Sequence, residues 1–118
     1  MGESFKDLTV WQKSVKLTSE IYRLTARFPR SEQFGLTSQM RRASVSIASN
    51  IAEGYGRASI GEYVQFLGHA RGSNCELQTQ LIIANILGFC DEDGYEPTER
   101  LSAEISRMLI AMMNKLKA

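Results

Sequence analysis

The stretch Ser46-Ile-Ala-Ser-Asn-Ile-Ala-Glu-Gly-Tyr-Gly-Arg57 holds the residue types from which phosphate sites are made. Glycines let backbone N–H groups approach an anion, and a helix starting just beyond adds partial positive charge. The known glycine fingerprints demand more. A dinucleotide loop follows a β-strand, and a P-loop closes on Gly-Lys-Ser/Thr. Gly54, Gly56 and Gly61 have neither context. The glycines therefore read as a corner between two helices, with Arg57 and Ser59 placed to hold a phosphate, without nucleotide specificity, at the start of the second.

The remaining reactive side chains form no constellation. His69 is the single histidine, so neither a three- or four-ligand zinc site nor a serine nucleophile with an imidazole base can be assembled around it. It reads as a solvated helix-surface residue. Cys75 and Cys90 lack CxxC spacing and are expected as free thiols in a reducing compartment. No catalytic residue, metal ligand or cofactor site is predicted, and a non-enzymatic protein is the expectation.

Basic side chains offer a different chemistry, contact with nucleic-acid phosphates. The net charge is only +1, but residues 1–58 carry nine Lys/Arg against five Asp/Glu, and residues 59–118 carry five against eight. Lys16, Arg23 and Arg27 share one stripe of the first helix around Glu20, Arg41 and Arg42 lie on the second, and Arg57 follows the corner. These six are the candidate phosphate contacts. Recognition would be of backbone charge, because no module of stacking aromatics is visible. Against this stands a structural reading in which Arg42 or Arg57 pairs with Glu53 and the protein is an interaction scaffold.

Positioning these groups requires helices. Every long segment follows a helical period and none alternates as a strand does, so the fold class is all-α in one domain, 1–118. Helix one is expected over 7–28, capped at Ser4 or Asp7 and stopped by Pro29. Helix two is expected over 36–53, with Gly54 and Gly56 supplying left-handed backbone at its end. Helix three opens at Ser59, which with Glu62 fits a capping box, and runs to about 88. Helix four begins at Pro97, taken as a first-turn residue, after the acidic turn 91–94. Short connections make an antiparallel up-down-up-down bundle the economical topology.

Helix three carries a heptad seam of Tyr63, Leu67, Ala70, Asn74, Leu77, Leu81, Ala84 and Gly88, in which Asn74 is the polar member expected to fix register. Helix one carries two apolar stripes, Leu8, Trp11, Val15 and Tyr22 beside Val10, Leu17, Ile21, Leu24 and Phe28, spanning about 200° where one core face needs about 100°. The run 81–89 is apolar nearly all round. The surplus predicts a homo-oligomer, with Leu17, Leu24, Ile82, Ile83, Ile86 and Phe89 as candidate interface residues. No run reaches the roughly 20 apolar residues of a membrane span, and no signal-peptide layout opens the chain, so a cytoplasmic location is expected.

Three ordered motifs resemble one known family. Gln39-Met-Arg-Arg-Ala-Ser-Val-Ser-Ile-Ala-Ser-Asn-Ile-Ala-Glu-Gly54 resembles the signature of the four-helix-bundle proteins encoded in intervening sequences of 23S ribosomal RNA genes. Asp7-Leu-Thr-Val-Trp-Gln-Lys13 resembles the opening of that family, and the segment from Phe66 to Leu81 its third-helix signature. Asn50, Glu53 and Gly54 are the motif residues at the corner. Ala48 departs from the pattern, which often has proline there, and is expected to straighten helix two. The resemblance implies an antiparallel four-helix bundle assembled as a ring-like homopentamer. That family is in turn similar to the accessory variability determinant of diversity-generating retroelements, which implies an RNA or DNA partner bound through basic surface. It brings no catalytic residues.

Overall fold

The computed structural model describes residues 4–118. Four helices carry the fold: α1 (Thr9–Thr25), α2 (Leu36–Tyr55), α3 (Ile60–Ile86) and α4 (Glu92–Lys117), with 3-10 turns at Phe5–Asp7 and Arg30–Glu32 and no strand among the described residues. At about 1.5 Å per residue, α3 alone spans the long dimension of a body 43 × 24 × 23 Å across. Helices α1 and α2, α2 and α3, α3 and α4, and α1 and α4 pack against one another.

The contacts run in a consistent sense. On α1 and α2, Thr18 donates to the Ser44 carbonyl and Thr25 accepts from Arg41. On α2 and α3 the hydroxyls of Ser46 and Ser73 meet at 2.9 Å, while Gly54 lies against Phe66. Residue numbers rise on one helix as they fall on its neighbour. Between them lies one apolar core, drawn from all four helices and including Leu17, Ile21, Met40, Ile47, Leu67, Leu77, Ile105 and Leu109.

Local chemistry sets the helix ends, and several differ from the sequence expectation. Ser4 caps the 3-10 turn, accepting from the Lys6 N–H, whereas Leu8 opens α1 with no side-chain cap. The last turns of α1 tighten to i→i+3 bonds up to Phe28, so the helix proper ends before Pro29. Ser59 accepts from the Glu62 N–H as expected, but its hydroxyl, rather than its backbone, reaches the Glu62 carboxylate at 3.2 Å. The start of α4 is a correction. Asp91 caps Gly94 N–H at 2.8 Å, and Glu92 and Asp93 then lie in the favourable positive end of the helix dipole, so helix begins before Pro97. Pro97 cannot donate to the Asp93 carbonyl, which is tolerable because Asp93 is exposed to water.

The corner glycines are also corrected. Gly88, with φ 78°, is the one described residue with left-handed backbone, while Gly56 has φ −82°. Gly54 sits inside α2, and a Cβ there would stand 2.8 Å from Phe66 Cβ and 3.1 Å from Tyr63 Cδ1. It permits close approach of α2 and α3 rather than a turn. Gly54→Ala should therefore cost about 1–3 kcal/mol through overpacking despite its better helix propensity. Gly72→Ala, where nothing lies within 4 Å of the added Cβ, should add about 0.5–1 kcal/mol. Urea unfolding of both variants checks this, and equal stabilities would refute the close-approach role.

Within the core, Asn74 Nδ2 donates to the Ser102 carbonyl at 2.8 Å and Ser102 Oγ donates back to Asn74 Oδ1 at 2.7 Å, both residues having no solvent exposure. Asn74 is thus the buried polar member of the α3 seam, bonded across to α4. Asn74→Ala removes the acceptor of the buried Ser102 hydroxyl and leaves a cavity, and should lower stability by about 2–4 kcal/mol. A double-mutant cycle with Ser102→Ala should show a coupling of about 1–3 kcal/mol, and additive losses would show that the pair is not a unit.

Candidate functional site

Of the six candidate phosphate contacts, three are engaged within the protomer. Arg57 pairs with Glu53 at 2.7 Å and lies over the Phe66 ring, its guanidinium carbon 4.7 Å from the centroid. Arg27 pairs with Asp91 at 3.1 Å. Arg41 ties two helices together, donating from Nε to Thr25 Oγ1 at 2.9 Å and from a terminal nitrogen to the Tyr22 carbonyl at 3.3 Å, with its plane over the Tyr22 ring. Lys16, Arg23 and Arg42 are exposed and meet no carboxylate among the described residues. Arg23 and Arg42 reach only neighbouring serine hydroxyls. The six do not converge on one surface: Arg23 and Arg27 line a cleft with Glu20, Asp91 and Asp93, Arg41 and Arg42 line another, and Arg57 borders a third. The Ser59 end of α3 carries the Glu62 carboxylate, which opposes a phosphate there.

A groove runs along the outside of α1 and α2. Its middle stretch, about 460 Å³, has Trp11, Val15 and Val45 as walls and Thr18, Ser19, Ala48, Ser49 and Ala52 as the remaining lining. Val45 also lines the adjoining stretch, together with Tyr22, Phe34, Arg41 and Arg42. Small side chains hold α1 and α2 close at this seam: Thr18 donates both to its own helix at Ser14 and across to Ser44. Phe34 is 90% exposed. α2 runs unbroken through Ala48, keeping that flank regular. Asn50 bonds back within α2, its amide donating to the Ser46 carbonyl and hydroxyl.

The interface candidates divide. Leu17 and Leu24 are buried in the protomer's own core and are unavailable to a second chain. Periodicity identified two stripes on α1 but not which one the other helices cover; the stripe left open is the one bearing Val15 and Tyr22. Phe89 is half-buried, its ring 5.5 Å from Phe28. Ile82, Ile83 and Ile86 are exposed, as is Leu87, which follows them at the turn into α4. Phe34 and Val45 are not among the sequence candidates, and Phe34 carries no periodic signal because it lies in the connection between helices.

No group of three or more His, Cys, Asp or Glu side chains able to hold a metal gathers among the described residues. His69 packs edge-on to Phe66 with centroids 5.6 Å apart. Nor is any described helix long and apolar enough to cross a membrane. Cys75 and Cys90 are both free. Burial, with a smaller contribution from Asp91, raises the pKa of the Cys90 thiol and so lowers its thiolate fraction near neutrality. Iodoacetamide at pH 8 should therefore modify exposed Cys75 severalfold faster than Cys90, as peptide mapping over time would show; faster labelling of Cys90 would contradict this environment.

No curated protein matches the sequence. Among solved structures, one from Bacteroides thetaiotaomicron at 1.70 Å resolution, described as a protein with unknown function from the S23 ribosomal protein family, is similar with a TM-score of 0.80. It is 23% identical, and the match covers 89% of this chain and 98% of that one, a likeness of fold. The sequence model for the 23S rRNA-intervening sequence protein family matches residues 6–111, spanning α1, α2, α3 and all but the end of α4, and on that match the chain belongs to this family.

Proposed function

We propose that this chain is a self-associating, non-enzymatic helical scaffold, an antiparallel up-down-up-down bundle that presents helix faces to other protein surfaces. The observation that carries this reading is how the protomer uses its side chains. Arg27 and Arg57 are paired with carboxylates and Arg41 bonds α1 to α2, while Phe34, Val15, Val45, Ile82, Ile83, Ile86 and Leu87 remain exposed. Apolar surface left open in several places is the mark of an interaction protein, whereas phosphate binding needs cations gathered and free. Family resemblance implies five copies in a ring, and the cytoplasm is the proposed location.

A nucleic-acid role is the second reading, favoured by Lys16, Arg23 and Arg42, which have no carboxylate partner among the described residues. The two are separated by light scattering together with fluorescence anisotropy of labelled single- and double-stranded RNA and DNA over a salt series. Under the scaffold reading the protein has a multiple of its protomer mass at micromolar concentration, and it gives no saturable nucleic-acid binding near 0.15 M salt. Salt-sensitive binding that Lys16→Glu/Arg23→Glu abolishes at unchanged mass would transfer the function to nucleic acid.

A further inference from the structure

Two exposed apolar surfaces of this chain differ in the sign of their nearby charge. The α1–α2 groove, walled by Val15 and Val45, has Arg41 and Arg42 at one end, where no carboxylate lines it, and the mutually paired Glu53 and Arg57 at the other. At the corner between α3 and α4, Ile86 is 77% and Leu87 57% exposed. The chain then supplies Asp91, Glu92, Asp93, Glu96 and Glu99 before its next cation, Arg100. Arg27 and the Gly94 N–H occupy Asp91, leaving Glu92, Asp93 and Glu96 exposed.

We propose that the α3–α4 corner of one copy seats in the α1–α2 groove of a second copy. This rests on the self-association reading and names its surfaces. Three pairings of the two surfaces can be made. Groove against groove in the same direction brings Arg41 and Arg42 toward their own duplicates, and end for end it offers them only Glu53, which Arg57 already pairs. Corner against corner brings the acidic runs together, and like charges disfavour association. Groove against corner joins aliphatic side chains to a trough lined with Ala, Ser and Thr and brings opposite charges together at its rim. Arg42, without a carboxylate partner among the described residues, then takes one from its neighbour, which removes it from the set available for phosphate.

Val45→Asp spoils the groove alone and Ile86→Asp the corner alone, at side chains 42% and 77% exposed that the protomer fold does not need. Each variant, checked for wild-type helicity by circular dichroism, should fall to the 13.2 kDa protomer mass in light scattering. Mixed in equal amounts, the two should associate again, because one retains an intact corner and the other an intact groove. A folded variant that keeps the wild-type mass, or a mixture that stays at protomer mass, overturns the pairing while leaving self-association standing. A wild-type protein already at protomer mass overturns both. Val15→Asp and Leu87→Asp repeat the test at the same two surfaces should either first variant lose helicity.

Discussion

Sliding α3 along α4 by a single turn would part the Asn74 amide from Ser102, with which it exchanges two hydrogen bonds inside the core. The reciprocal pair between them thus makes one alignment of these helices much cheaper than its neighbours. Much else follows from that alignment. It sets the level at which α4 begins, and hence where Gly94 meets Leu24 of α1; a Cβ on that glycine would come within 2.7 Å of the leucine. It brings Asp91 to Arg27, Thr98 to Glu20 and Glu104 to Lys13, three polar contacts along one side of α1. The two ion pairs among them are exposed or half-exposed and contribute little energy individually. Their geometry is a result of the register rather than its cause.

On the opposite side of α1 the packing works through small groups. Hydroxyls of Thr18, Thr25 and Ser44 satisfy one another's backbone and neighbouring side chains, so polar residues fit at a helix seam without water. A seam of Thr, Ser and Ala is thin, and thinness opens the groove outside it. The same contacts explain the charge distribution. Arg41 stabilises that seam and Arg57 covers Phe66, which uses two arginines as structural members on surfaces where a sequence places free cations.

Features governed by local spacing were legible in the sequence. The heptad seam of α3 from Leu67 to Ala84, with Asn74 buried in it, and the Ser59 cap depend on residues within a turn or two of one another, and they stand where periodicity and capping chemistry place them, whereas Gly88 lies exposed beyond the end of α3. The acidic turn before Pro97 misled because a proline marks a helix start only when nothing upstream caps better, and Asp91 does. Gly54 misled because a glycine near a helix end has two uses, and only the position of Phe66 on another helix decides between them. For α1, amphipathicity measured the width of the apolar surface while saying nothing about which half its neighbours cover. Engagement of Arg27 with Asp91, distant in sequence, is a question of side-chain reach in three dimensions, which no one-dimensional pattern encodes.

Three of the four helix interfaces join consecutive helices across connections of about ten residues or fewer, and only the α1–α4 seam brings together distant parts of the chain. Loop-closure entropy is therefore modest for each hairpin-like step and concentrated in that last seam. A chain of this topology has low contact order and belongs with the fast-folding helical proteins, whose nuclei form from neighbouring elements. During synthesis α1, α2 and α3 emerge first and can pack pairwise, but the side of α1 meant for Glu104 and Thr98 stays open until α4 has left the ribosome. The nascent protein thus carries, for the time needed to make its last helix, an uncovered apolar trench that the finished protomer closes from within.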